Sequence, residues 1–128
     1  MVADVVLDAS AVLALLHREA GADVVLRHLD NAVVSAVNLA EVAARLADHG
    51  MPAAEIREVV GSIGVEIVPF DEPRAYDTAS LRSLTRAKGL SLGDRACLAL
   101  ARERGVPAVT ADRAWAALDL GIEIELIR

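Results

Sequence analysis

The sequence predicts an α/β fold with a mostly parallel five-stranded sheet and helices on both faces. Three observations carry this expectation. Short, β-branched apolar runs alternate with longer helix-patterned segments along all 128 residues, the alternation that parallel strands and helical crossovers require. An apolar fraction of 55% excludes a disordered chain and suits strands buried on both faces. The length is that of one core, so residues 1–128 are expected to form a single domain.

The elements follow in order. Residues 2–7 form a short apolar run interrupted by Asp4, a strand, and the helix formers of 9–16 follow it directly. Residues 21–29 read as helix, 32–35 as a brief strand and 37–48 as a helix that Gly50 ends in a left-handed conformation. Pro52 starts the next helix, which stops at Gly61 or Gly64, and 65–68 is the third strand. Pro73 opens a long helix reaching about Lys88, and Gly89 separates it from the helix 92–104. A strand at 106–109, a helix at 111–118 and a last strand at 122–127 complete the chain.

Composition removes several function classes. No apolar run exceeds six residues, against the roughly 20 that span a bilayer, so no membrane insertion is expected. The start of the chain lacks a basic region, and Asp4 and Asp8 break its apolar stretch, so no secretory signal is expected and the cytoplasm is the expected compartment. A single cysteine, Cys97, excludes an internal disulfide and sits in an apolar helical stretch that assigns it to the core. The high apolar content leads to the expectation of self-association through an apolar patch.

Net charge is −6, yet residues 74–113 carry +4 and the remainder −10. Arginine supplies 12 of the 13 cations, a residue suited to bidentate phosphate contacts. That window, Arg82 and Arg86 included, is therefore the candidate anion-binding face, with solvated helix surface as the plain alternative.

In parallel sheets ligands bind beyond the carboxyl ends of the strands, which directs attention to acids there. Asp8 ends the first strand and Ser10 follows it; helix capping explains either residue equally well. Asp112 lies just past the fourth strand beside Thr110, where Thr110 can cap and Asp112 can favour the helix dipole. Asp94 lies three residues after Ser91, the spacing of a capping box. Asn38, Glu41, Arg45 and Asp48 form one polar stripe, and an exposed Glu41 paired with Arg45 accounts for it simply. His17, His28 and His49 lack metal-ligand spacing, and Trp115 fits core packing.

Four segments in this order resemble the PIN-domain ribonucleases, and VapC-like toxins of toxin–antitoxin pairs in particular. Val-Leu-Asp-Ala-Ser-Ala around Asp8 is similar to the first acidic motif of that family, and Ser-Ala-Val-Asn-Leu-Ala-Glu-Val around Glu41 to the second. Gly-Leu-Ser-Leu-Gly-Asp-Arg-Ala-Cys around Asp94 and Val-Thr-Ala-Asp-Arg-Ala-Trp around Asp112 resemble the third and fourth. The resemblance implies a PIN-like nuclease domain over residues 1–128 and hydrolysis of RNA phosphodiester bonds. It makes Asp8, Glu41, Asp94 and Asp112 direct or water-mediated ligands of Mg²⁺ or Mn²⁺, a hard cation that would relieve the repulsion of gathered carboxylates. Ser10 and Thr110 become hydroxyls that orient water or a carboxylate. An RNA substrate, single-stranded or looped and held through its phosphates by arginines of the 74–113 window, is then expected, and a cognate antitoxin covering the cleft and a homodimer are implied as well. An inactive PIN-like module that binds RNA or protein is the alternative. A haloacid-dehalogenase phosphatase would need a second Asp where Ser10 stands, and a receiver domain a late Lys-Pro pair that is absent.

Overall fold

The computed structural model describes residues 5–128. Its strands are β1 (Val5–Leu7), β2 (Ala32–Ser35), β3 (Glu66–Val68), β4 (Ala108–Thr110) and β5 (Ile124–Leu126), arranged β3-β2-β1-β4-β5. All four neighbouring pairs are parallel, and the segments between the strands supply the crossovers that parallel pairing requires. Positions 2–4 of the expected first strand lie outside the described residues.

The helices are α1 (Ala9–Leu16), α2 (Ala22–His28), α3 (Ala36–Asp48), α4 (Ala53–Ile63), α5 (Glu72–Ser80), α6 (Arg82–Thr85) and α7 (Leu92–Arg104). Side chains alternate across each strand, so the sheet feeds two cores. Val5, Leu7, Val34 and Val109 pack on one face against Ala11, Val25, Val42, Leu46 and Ile56 of α1 to α4. Val6, Val33 and Ala108 pack on the other against Leu81, Leu98 and Trp115. Burying a Leu or Val completely contributes about 1.5–3 kcal/mol, so these two layers hold the sheet between them. Cys97 is among the buried residues; burial pushes its thiol well above the usual range and leaves it an inert part of the core.

Helices α3 and α4 end at glycines in the left-handed region, where a Cβ would be strained: Gly50 (φ 90°) after α3 and Gly64 (φ 76°) after α4. Gly64, rather than Gly61, is thus the stop for α4.

Two expected helices differ from the structure. The stretch from Pro73 to Lys88 is broken into α5, α6 and a 3₁₀ turn, Arg86–Lys88. Ser80 Oγ donates to the Asp77 carbonyl at 2.6 Å and Thr85 Oγ1 to the Leu81 carbonyl at 2.7 Å, back-bonds that bend helices. Leu81, fully buried at the break, anchors the bend, and Arg102 reaches Ser80 Oγ at 2.9 Å from α7. The expected helix 111–118 is a 3₁₀ turn, Arg113–Ala117. Its cap is Asp112, whose side chain accepts from the Ala114 amide while its own amide is held by Thr110 Oγ1 at 3.0 Å. Thr110 therefore fixes Asp112 outside the turn instead of capping it.

From β1 the chain moves to β2 and β3 on one side, and β4 and β5 are added on the other. Strand order reverses at β1, and a crevice opens there beyond the carboxyl ends of β1 and β4. Asp8 leaves β1 and Thr110 ends β4 at that point.

Candidate functional site

Asp8 is extended (φ −85°, ψ 177°) and caps α1, its Oδ1 accepting from the Ala11 amide at 2.9 Å and from Ser10 Oγ at 2.7 Å. Its Oδ2 accepts from Thr110 Oγ1 at 2.6 Å across the β1–β4 junction. Ser10 Oγ in turn accepts from the Ala111 amide at 2.9 Å. Three donors thus fix this carboxylate, which is only 5% exposed. Burial nevertheless raises its pKa from 3.8 to about 6, the bonds from Thr110, Ser10 and Ala11 offsetting part of the effect and the charge of Asp94 adding to it.

Glu41 stands on α3 one turn after Asn38, whose Nδ2 donates to Glu41 Oε1 at 2.8 Å. The same Nδ2 donates to the Gly93 carbonyl at 3.1 Å, joining α3 to the first turn of α7. Asp94 forms the capping box the spacing predicts: its amide donates to Ser91 Oγ at 3.1 Å and its Oδ2 accepts from the Ser91 amide at 3.0 Å. Asp112 Oδ1 accepts from the Ala114 amide at 3.0 Å. Capping and placement in the crevice are therefore compatible, because one residue does both.

Asp8, Glu41, Asp94 and Asp112 line one cleft of about 220 Å³, together with Ser10, Asn38 and Arg45. Among the described residues no three His, Cys, Asp or Glu side chains converge closely enough to form a metal-holding group. One oxygen each of Glu41, Asp94 and Asp112 accepts a hydrogen bond from Asn38 or from a backbone amide, which leaves the second oxygen of each carboxylate for another partner. The donor set itself is hard oxygen, the type that suits Mg²⁺ or Mn²⁺.

The PIN domain family model matches residues 5–120, nearly the whole chain. The chain belongs to the PIN-domain family. Among solved structures, this PIN domain is similar to a chain of DNA-bound VapBC from Salmonella typhimurium, at 21% identity over 98% of this chain and 99% of that one, with a TM-score of 0.75. FitAcB from Neisseria gonorrhoeae matches at 22% identity over 96% and 97% of the two chains, with a TM-score of 0.68. VapBC-5 from Mycobacterium tuberculosis, a member of the VapBC family of toxin–antitoxin systems, matches at 27% identity over 98% of each chain, with a TM-score of 0.60. No curated protein matches the sequence.

Within this PIN domain, two site features differ from the sequence reading. The α3 stripe is not uniformly exposed, since Asn38 is 1% exposed and shares the buried face with Val42 and Leu46. The signal was its spacing of four and eight residues from those two apolar positions. Arg45 makes no ion pair with Glu41 and instead lines the cleft, where it is the sole cation among the described residues. None of the eight cations of the 74–113 window lines it. Arg74 is held by Asp71 and Glu103 at 3.2 and 3.1 Å, Arg95 is buried, and Arg113 donates to the Arg128 carbonyl. The histidines lie elsewhere, His28 pairing with Glu125 at 2.9 Å. Among the described residues no helix is long and apolar enough to cross a membrane.

Proposed function

We propose that this PIN domain, residues 1–128, is a Mg²⁺- or Mn²⁺-dependent endoribonuclease that hydrolyses RNA phosphodiester bonds, and that it is the toxin of a toxin–antitoxin pair acting in the cytoplasm. The observation that carries this reading is the assembly of four carboxylates from separate elements along one cleft at the strand-order switch. Asp8, Glu41, Asp94 and Asp112 would hold the ion, which when bound supplies charge neutralisation and activation of water. Ser10 and Thr110 keep the Asp8 carboxylate aimed by donating to both of its oxygens. Arg45 offers a guanidinium at the cleft wall for a backbone phosphate. An antitoxin partner is supported by the likeness to VapBC-5, a member of a family of toxin–antitoxin systems, and its expected place is over the cleft. A homodimer would use apolar surface such as Tyr76, Leu84 and Leu92, which are exposed.

Single-stranded RNA incubated with the protein and Mn²⁺ or Mg²⁺ is expected to be cleaved, and Asp94→Asn is expected to slow cleavage by roughly 100-fold, as loss of a direct ligand should cost at least what loss of a supporting residue does. Cleavage undiminished in excess EDTA contradicts the metal mechanism. RNA binding with no cleavage assigns the cleft to an inactive binding module. Arg45→Ala should weaken RNA binding and lower the salt slope by about 0.7, the value for one phosphate contact on a single strand. Arg82→Glu with Arg86→Glu should have a smaller effect, because both side chains lie outside the cleft. Filter binding across a salt series separates the two.

A further inference from the structure

Asn38 is buried, and its side-chain amide is used unevenly. Nδ2 serves two acceptors, Glu41 Oε1 and the Gly93 carbonyl, while Oδ1 is buried with no partner among the described residues. Turning the amide over would aim its oxygen at a carboxylate and a carbonyl, two acceptors, so electrostatics fix the orientation seen. A buried amide with an orphaned oxygen is worse for stability than an apolar side chain of the same shape. Packing therefore does not account for asparagine at this position.

Gly93 supplies a second, independent observation. A Cβ built there would overlap Cδ, Oε1 and Oε2 of Glu41. The glycine leaves the space that the Glu41 carboxylate occupies, and any larger residue would push that carboxylate away; its backbone is not the reason, because its φ lies outside the left-handed region. The Glu41 carboxylate thus rests directly on the backbone of the residue that precedes Asp94.

We propose that Asn38 and Gly93 are positioning residues that hold the Glu41 carboxylate against the first turn of α7, so that Glu41 and Asp94 address the same divalent ion; this rests on the reading of the cleft as an ion site. Asn38 tethers the carboxylate from α3, and Gly93 provides the flat seat on α7. Neither residue needs to touch RNA or the ion.

The test uses the full chain and Mn²⁺ alone, with affinity read by calorimetry. Asn38→Leu is expected to weaken Mn²⁺ binding about tenfold while its Tm stays level or rises. In a Glu41→Gln background the same change is expected to have no further effect, since the two residues act as one unit. Gly93→Ala should weaken Mn²⁺ binding in the same way, and adding Glu41→Asp, whose shorter side chain clears the new methyl group, should recover part of the loss. That pair decides the matter if Asn38→Leu fails to fold. A readout without metal is the exchange of the Asn38 side-chain amide protons, expected to be slow in the wild type and accelerated by Glu41→Gln. Equal Mn²⁺ affinity in the wild type and Asn38→Leu overturns the positioning role and leaves the cleft reading intact, as does an equal loss in both Glu41 backgrounds. A wild type that binds no Mn²⁺ overturns the cleft reading and the positioning role together.

Discussion

Asp8→Asn is expected to stabilise the metal-free protein by up to about 3 kcal/mol at pH 8, measured by denaturant unfolding in EDTA. Burial lifts the Asp8 carboxyl from 3.8 to about 6, so the folded chain retains a proton that the unfolded chain releases. Below pH 3.8 both states are protonated and the carboxyl costs nothing. Between pH 3.8 and about 6 the unfolded state ionises first, and stability falls as pH rises. Above that range the whole cost of a buried carboxylate is present. Asparagine does not titrate, its Oδ1 can take the Ala11 amide and the Ser10 hydroxyl as Asp8 does, and its Nδ2 can donate to Thr110 Oγ1 once that hydroxyl turns its proton towards Ser10 Oγ. Wild type and variant should therefore agree near pH 4 and diverge towards pH 7, with the variant the more stable and the less active. Parallel pH profiles would contradict the burial account of Asp8. A gain in stability at the expense of activity is what a charge kept for function predicts.

Mg²⁺ is expected to raise the apparent stability of the wild type by about 2.7 kcal/mol when its free concentration is about 100 times its Kd, and Asp94→Asn to lose most of that gain. In the metal-free protein the substitution has two opposing consequences. It removes a negative charge from the start of α7, worth roughly 0.3–1 kcal/mol, although asparagine still offers an oxygen to the Ser91 amide. It also removes a negative charge that adds to the effect of burial on the Asp8 carboxyl. The metal-free change should thus stay within about 1 kcal/mol, well below the Mg²⁺ effect. Thermal melts with EDTA and with Mg²⁺ measure both, and a variant that keeps the full Mg²⁺ shift would make Asp94 a cap and nothing more.

The five strands, to within two residues at the described ends, and the acids just past the first and fourth were legible because both depend on local pattern. A β-branched run such as residues 32–35, bounded by helix signals, identifies a strand without knowledge of its neighbours. The Ser91 to Asp94 spacing identified its capping box for the same reason. What was not legible depends on contacts between distant elements. Asn38 is buried because α3 packs on α7, where the Gly93 carbonyl lies 55 residues away in sequence. The break at Leu81 combines local hydroxyl back-bonds with an arginine arriving from α7. Summed charge pointed to residues 74–113, whereas the cleft takes its arginine from α3, because a window average carries no direction in space.

The claim that Asp8, Glu41, Asp94 and Asp112 together hold a divalent cation is tested most directly by anomalous diffraction from crystals grown with Mn²⁺. The expected result is a Mn²⁺ peak inside the cleft, bounded by those four carboxylates, that disappears in Asp94→Asn crystals. A well-occupied peak elsewhere on the chain with the cleft empty, or a peak that persists unchanged in Asp94→Asn, would contradict it.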